Sequence, residues 1–166
     1  MRLKTLLIVL VAVLLTAPFA MARMIDEKAP EFSLPDMNGK TVSLKGLRGK
    51  VVFIDFFASW CAPCKKEFPE INGIIGRYKD SEVAFVAVNV DKKRSHVEDF
   101  LSQVPNLSNR FMILLDTDSA VISSYNARAM PTSFILDKTG VIRYVHFGFR
   151  ESDPVSWVEE IDRLLK

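Results

Sequence analysis

An apolar run followed at once by two closely spaced cysteines most constrains how this chain can fold. Residues 51–57 are apolar on both faces apart from Asp55, which predicts a buried strand at the centre of a sheet. Three turn residues follow, and Cys61 and Cys64 then open a segment whose apolar residues recur at helical spacing. The sequence therefore predicts a strand, a turn and a helix, with the cysteine pair where the helix begins.

Strands and helices alternate along the rest of the chain. The patterns predict strands at 83–90, 111–115, 133–136 and 141–147, and helices at 65–78, 95–103, 118–125 and 153–165. A short hairpin around Asn38-Gly39 is predicted to pair residues 30–34 with residues 40–44. This order predicts an α/β fold in which a mixed central β-sheet is flanked by helices.

Two local patterns make sharper predictions about the later helices. Ser95 and Glu98 have the spacing of a capping box, which predicts that a helix begins at Ser95. In the last helix, which Asp153-Pro154 is predicted to start, the apolar residues Val155, Val158, Ile161 and Leu165 recur on one face.

The first 22 residues have the features of an export signal. Arg2 and Lys4 precede an uncharged stretch over residues 5–22, and Ala20 and Ala22 fit a signal-peptidase site. A retained membrane anchor is the alternative, because such a stretch is just long enough to span a bilayer. Residues 1–22 are therefore predicted to be a signal peptide or membrane anchor, and residues 23–166 a single domain.

Composition excludes several classes of function. A domain of this size buries enough surface to fold without staples, so the chain's only two cysteines are predicted to serve reactivity rather than stability. The net charge of +2 comes with no basic stripe, so nucleic-acid binding is not expected. A tetrahedral zinc site would need two ligands besides the cysteines, and His96 and His146 lie on different predicted elements. We therefore expect neither a metal nor a cofactor.

The position of the cysteines suggests distinct roles for them. A helix N-terminus favours a thiolate, because backbone N–H groups and the positive end of the helix dipole face the sulfur. Cys61 is therefore the predicted nucleophile. Cys64, on the first helical turn, is the predicted resolving thiol that attacks the mixed disulfide. A structural bridge and half of a zinc site are the alternative interpretations of an isolated Cys-x-x-Cys.

Two acidic residues are candidates for proton transfer. Asp55 interrupts the apolar strand, and enclosing its carboxyl group would raise its pKa and favour exchange of a proton with Cys64. A partly solvated strand residue is the alternative. Glu67 lies three residues beyond Cys64, and a surface carboxylate is the equally plausible alternative for it.

Four further residues are candidates for contact with a substrate. Trp60 could form an apolar docking rim beside the nucleophile, and Pro63 lies between the cysteines. A cis bond at Met130-Pro131 would present a backbone edge that a substrate chain could pair with. Sequence alone does not give the isomer.

Several motifs together resemble the thioredoxin-like TlpA/ResA/DsbE family. They are Ala29-Pro30-Glu31-Phe32, Asn38-Gly39-Lys40, Gly49-Lys50-Val51-Val52, Ala58-Ser59-Trp60-Cys61-Ala62-Pro63-Cys64, Glu67-Phe68-Pro69 and Met130-Pro131-Thr132-Ser133-Phe134. The resemblance implies a thioredoxin fold with an N-terminal β-hairpin and an inserted βα unit at residues 83–103 or next to them. It also implies a cis bond at Met130-Pro131.

The same resemblance implies an exported thiol:disulfide oxidoreductase, periplasmic or otherwise extracytoplasmic. Members of the family commonly reduce apocytochrome c for cytochrome c maturation and take electrons from a membrane thiol transporter. A protein disulfide substrate and a membrane thiol electron donor are therefore the expected partners. A non-catalytic peptide-binding or chaperone module and a thiol peroxidase are the alternative functions.

Overall fold

A computed structural model describes residues 24–166 of the chain, and a five-stranded mixed sheet lies at its centre. The strands are β3 (Val51–Phe57), β4 (Val83–Asn89), β5 (Phe111–Leu115), β6 (Thr132–Leu136) and β7 (Ile142–Phe147). Their order across the sheet is β5-β4-β3-β6-β7. The strand β3 pairs in parallel with β4 and antiparallel with β6, so the strand that leads to the cysteines is central, as its apolar sequence predicts.

A separate two-stranded hairpin precedes this sheet. It consists of β1 (Ser33–Pro35) and β2 (Thr41–Ser43), and a 3₁₀-helix over Leu44–Leu47 leads from it towards β3. Asp36 at the hairpin turn forms an isolated bridge with Leu114, which places the hairpin against the edge strand β5. The predicted N-terminal hairpin is therefore present.

Helices cover both faces of the sheet. They are α1 (Ala62–Ile75), α2 (Arg94–Leu101), α3 (Ala120–Ser124) and α4 (Asp153–Leu165). On one face, α1, α2 and α4 pack on alternate residues of β3, including Phe53 and Phe57. On the other face, α3 and the N-terminal hairpin cover the intervening residues, including Ile54 and Phe56.

Aromatic side chains hold α1 onto the sheet. Phe68 of α1 is fully buried, and its ring centroid lies 4.8 Å from that of Phe57, 5.1 Å from that of Phe100 and 4.7 Å from that of Phe111. These contacts join α1, α2, β3 and β5 into one core. They fix the start of α1, and with it the cysteines, relative to the end of β3.

The architecture confirms the predicted α/β fold, and β4 with α2 occupies the region expected for the extra strand and helix. The capping-box prediction is wrong, because α2 begins at Arg94, with Lys93 as its N-cap and no side-chain cap. Glu98 instead accepts a hydrogen bond from Arg94 at 2.7 Å, a pair spaced one helical turn apart. Of the residues predicted on one face of α4, Ile161 is buried and Val155 is 65% exposed, and Trp157 is the other large buried side chain of the helix.

The predicted signal peptide or anchor at residues 1–22 lies outside the described residues. Within residues 24–166, every helix is too short or too polar to cross a bilayer.

Candidate active site

The two cysteines form a disulfide at the N-terminus of α1. Their Cα atoms are 5.3 Å apart, and Cys61 is the N-cap residue of the helix. The backbone N–H of Cys64 donates a hydrogen bond to the sulfur of Cys61, with an N···S distance of 3.2 Å. Because hydrogen bonds to the charged form stabilise it, this N–H favours a thiolate on Cys61 once the disulfide is reduced.

The surroundings of the two sulfurs differ. Cys61 is 3% exposed, whereas Cys64 is fully enclosed in the core that α1 forms with the sheet. Cys61 is also preceded by the exposed turn residue Trp60, so a partner approaching from solvent meets this sulfur first.

A buried acidic pair lies on the sheet side of α1. Asp55 is on the same face of β3 as Phe53 and Phe57, and both Asp55 and Glu67 are fully buried. Ser133 lies opposite Asp55 in the register of β3 and β6, and its hydroxyl donates a hydrogen bond of 3.0 Å to Glu67.

The pair is poorly satisfied by hydrogen bonds within the described residues. The hydroxyl of Ser133 has one proton, and Glu67 receives it, so both oxygens of Asp55 and one oxygen of Glu67 are left without a partner. A buried ionised carboxylate without compensation is costly, and the group therefore holds its proton instead.

Burial raises the pKa of Asp55 well above the ordinary range of an aspartic acid. Burial also raises the pKa of Glu67, and a negative charge on Asp55 raises it further. The two groups act on each other, so they titrate as a pair that holds protons at neutral pH. An enclosed acid pair beside a cysteine can exchange protons with it during chemistry.

The residues predicted to contact a substrate lie around the disulfide but differ in exposure. Trp60 is 68% exposed, and Pro63 is exposed on the first turn of α1. Met130 is half-buried and packs against the core cluster that contains both cysteines. The Met130–Pro131 bond is cis, as the family resemblance implies, and Pro131 is buried just before β6, beside the end of β3.

The two histidines lie on different elements and are not grouped as the ligands of a metal ion would be. His146 on β7 lies 2.7 Å from Glu160 of α4, and His96 is exposed on α2. Within residues 24–166, no group of three or more histidine, cysteine or acidic side chains is placed to hold a metal ion.

Sequence reasoning missed two residues of this region. Ser133, which binds Glu67, is separated from it by 66 positions, and only the register of β6 against β3 brings them together. Asp91 follows β4 and hydrogen-bonds Ser59 in the turn before the cysteines. The polar pair Asn89 and Asp91 at the end of an apolar strand was the available signal.

A central strand that runs into a disulfide at a helix N-terminus, with a cis-proline beside it, defines a thioredoxin-like protein. Comparisons with known proteins agree. The AhpC/TSA family model matches residues 25–145. The thiol-disulfide oxidoreductase ResA of Bacillus subtilis (strain 168) is 38% identical over 134 residues, which cover 80% of this chain and 73% of that protein.

Two further matches extend the comparison. A thiol-disulfide oxidoreductase ResA of Bacillus cereus is 36% identical over 118 residues, which cover 71% of this chain and 66% of that relative, just under two thirds of its length. A crystal structure described as a thiol:disulfide interchange protein DsbE of Chlorobium tepidum has a TM-score of 0.78 and 37% identity, and the match covers 86% of this chain and 98% of that one.

The chain therefore belongs to the AhpC/TSA family and, within it, to the thioredoxin-like thiol-disulfide oxidoreductases. The resemblance stated from the sequence motifs is confirmed at this level.

Proposed function

We propose that this protein reduces disulfides of specific partner proteins outside the cytoplasm, with Cys61 as nucleophile and Cys64 as resolving thiol. The observation that carries the proposal is the Cys61–Cys64 disulfide at the start of α1, with one sulfur next to the exposed turn and the other enclosed. A disulfide between residues three apart stabilises the fold little by restricting the unfolded chain, so reactivity is the better explanation for it.

The first step begins from the reduced protein. The thiolate of Cys61 attacks one sulfur of the substrate disulfide, a new S–S bond forms, and the other substrate sulfur leaves as a thiolate and takes up a proton. The N–H of Cys64 and the positive end of the α1 dipole stabilise the attacking anion.

The second step releases the substrate. Asp55 is ionised in a fraction of the molecules near neutral pH because its pKa is about 8, and in these it takes the proton of Cys64, whose sulfur then attacks Cys61 in the mixed disulfide. The Cys61–Cys64 bond forms, and the second substrate sulfur leaves and is protonated. Two electrons pass to the substrate, and the protein ends as the disulfide. The burial of Asp55 supports this assignment, because it raises the pKa of the carboxyl group to about 8, close enough to neutral pH for proton exchange, and Glu67 titrates with it as a pair.

The substrate contacts follow from the same arrangement. Trp60 and Pro63 are exposed close to Cys61 in the chain and are the proposed apolar contacts, and Met130 and Pro131, just before β6, are the proposed backbone contacts. Family resemblance makes apocytochrome c a candidate substrate and a membrane thiol protein the candidate electron donor. It also favours the periplasm or another extracytoplasmic location, which agrees with the export signal or anchor predicted at residues 1–22.

The exchange reaction can be tested by reduction of insulin with dithiothreitol as electron source. The full chain should accelerate insulin reduction, and Cys61→Ser should reduce the rate to the uncatalysed level. Cys64→Ser is the matched variant: it keeps the nucleophile, so it should form a mixed disulfide and stall. Trapping that species in cells then identifies the substrate.

Each alternative function predicts a different result. A peptide-binding chaperone would keep its activity when Cys61 becomes serine. A thiol peroxidase would be oxidised by hydrogen peroxide faster than by disulfides. An equilibrium potential against glutathione near that of a strong oxidant, roughly −120 mV, would contradict the assignment as a reductant.

A further inference from the structure

A buried carboxylate lies behind the turn that carries the nucleophile. Asp91 is 4% exposed and follows β4 by two residues. Its carboxylate accepts the backbone N–H of Ser59 at 2.7 Å and the hydroxyl of Ser59 at 2.9 Å. The side-chain amide of Asn89 donates a third bond at 2.9 Å. The backbone N–H of Asp91 donates in turn to the side chain of Asn89 at 2.8 Å.

This network holds Ser59, which lies two residues before Cys61. The backbone N–H of Cys61 donates to Ala58 at 3.1 Å, so the turn is tight and Ser59 lies inside it. Two residues of chain span at most about 7 Å. The carboxylate of Asp91 is therefore on the order of 10 Å from the sulfur of Cys61. At that distance, through protein, two charges interact appreciably.

The charge on Asp91 is only partly compensated by its surroundings. Its three hydrogen bonds come from neutral donors. The imidazole of His96 on α2 faces it, with Nδ1 4.0 Å from a carboxylate oxygen of Asp91 and a side chain that is 52% exposed. Lys92 and Lys93 follow Asp91 in the chain and are exposed, so solvent screens them. The buried acidic pair Asp55 and Glu67 adds no positive charge.

We propose that Asp91 is a positioning residue whose buried negative charge disfavours a thiolate on Cys61 and thereby keeps the cysteine pair a reductant. The inference rests on the proposed function. The disulfide carries no charge, whereas the reduced pair carries a thiolate on Cys61. Asp91 therefore destabilises only the reduced form, and a less stable reduced form gives up its electrons more readily. The hydrogen bonds to Ser59 hold the turn in place while the charge acts.

The equilibrium between the disulfide and the dithiol form of the protein can be measured against glutathione. One protein disulfide and two glutathione thiols are converted into one protein dithiol and one glutathione disulfide, so two electrons and two protons move. Removing the charge with Asp91→Asn should lower the pKa of the Cys61 thiol by about one unit, given an effective dielectric constant of about 20 and the separation above. At pH values above that pKa, the equilibrium constant for exchange with glutathione should shift about tenfold towards the dithiol, which corresponds to a change of about 30 mV in reduction potential.

The shift must also depend on pH in a defined way. The charge of Asp91 matters only where Cys61 is ionised, so the ratio of the variant to the native equilibrium constant should be close to one at pH 6 and approach about ten at pH 9. Any effect of glutathione ionisation cancels in this ratio, because it is common to both proteins.

Two variants separate charge from structure. Ser59→Ala removes the hydroxyl donor but keeps the carboxylate, so it loosens the turn without removing the charge. Asp116→Asn removes another buried carboxylate, which accepts the N–H groups of Val121 and Ile122 at the start of α3, on the opposite face of the sheet. Neither variant should lower the pKa of the Cys61 thiol.

The experiment uses the full chain, with thiolate absorbance and alkylation rate as measures of the Cys61 pKa and the glutathione equilibrium at pH 6 and 9. A lowered pKa and a pH-dependent shift in Asp91→Asn alone support the proposal. The same shift in Ser59→Ala, or none in Asp91→Asn, overturns it. Should Asp91→Asn fail to fold, a lowered pKa in Ser59→Ala still overturns it, and an unchanged or raised pKa supports it. A native protein that does not exchange with glutathione would defeat the proposed function instead.

Discussion

Replacing Asp55 with asparagine should make the oxidised protein more stable, and increasingly so as the pH rises. Burial raises the pKa of Asp55 to about 8 in the folded protein, whereas an unfolded aspartate titrates near its ordinary value of 3.8. Between these values the unfolded state loses a proton that the folded state keeps. A raised folded-state pKa thus contributes stability that is complete below the ordinary pKa and is lost as the pH rises towards 8.

The size of the effect follows from this linkage. Each pH unit in the interval costs about 1.4 kcal/mol, so native stability should fall by about 3 kcal/mol from pH 5 to pH 7 through Asp55 alone. Asparagine does not ionise, so this decline disappears in Asp55→Asn. Changes in packing or hydrogen bonding at the site contribute equally at both pH values, and only the difference between them reports the proton.

Urea unfolding of the oxidised native protein and of Asp55→Asn at pH 5, 6 and 7 measures this difference. Asp116→Asn is the matched control, because it removes a buried carboxylate that accepts two backbone N–H groups. It should cost stability rather than add it. A stability gap between native and Asp55→Asn protein that stays constant from pH 5 to pH 7 would refute the raised pKa, and with it the proton-transfer role of Asp55.

Two further predictions concern packing and substrate contact. Phe68→Ala should cost about 3–5 kcal/mol of unfolding free energy, because it opens a cavity where four elements meet; a loss below about 1 kcal/mol in urea unfolding would contradict the packing described. Trp60→Ala should raise KM for a protein disulfide without changing stability, since its side chain is exposed. Val155→Ala, which removes another exposed apolar side chain, should leave KM unchanged.

The sequence was most informative where a local pattern and a tertiary requirement coincide. Strand β3 was predicted over the residues it occupies, because only a covered central strand tolerates apolar residues on both faces. The cysteines were predicted at a helix N-terminus because apolar residues recur at helical spacing in the segment that they open. At α2 the capping-box spacing misled, since Arg94 and Glu98 pair within the helix and Ser95 lies inside it.

The parts of the site that sequence did not reveal are contacts between distant residues. Ser59 and Asp91 are 32 positions apart, and Ser133 and Glu67 are 66 apart. Each pair is brought together by strand order, which hydrophobic periodicity does not specify. The sequence also did not decide whether Glu67 is buried. The packing of α1 on the sheet encloses this side chain, and its position near the start of a helix does not reveal that.

The charges around the disulfide favour different chemical roles for the two sulfurs. Glu67 is one helical turn from Cys64, and the raised pKa of its carboxyl group keeps that group protonated on the enclosed side of the site. Lys65 and Lys66 are exposed, so their charge favours anions on the solvent side only. The enclosed side of the site therefore suits the proton exchange proposed for Cys64, and the solvent side suits the thiolate proposed for Cys61.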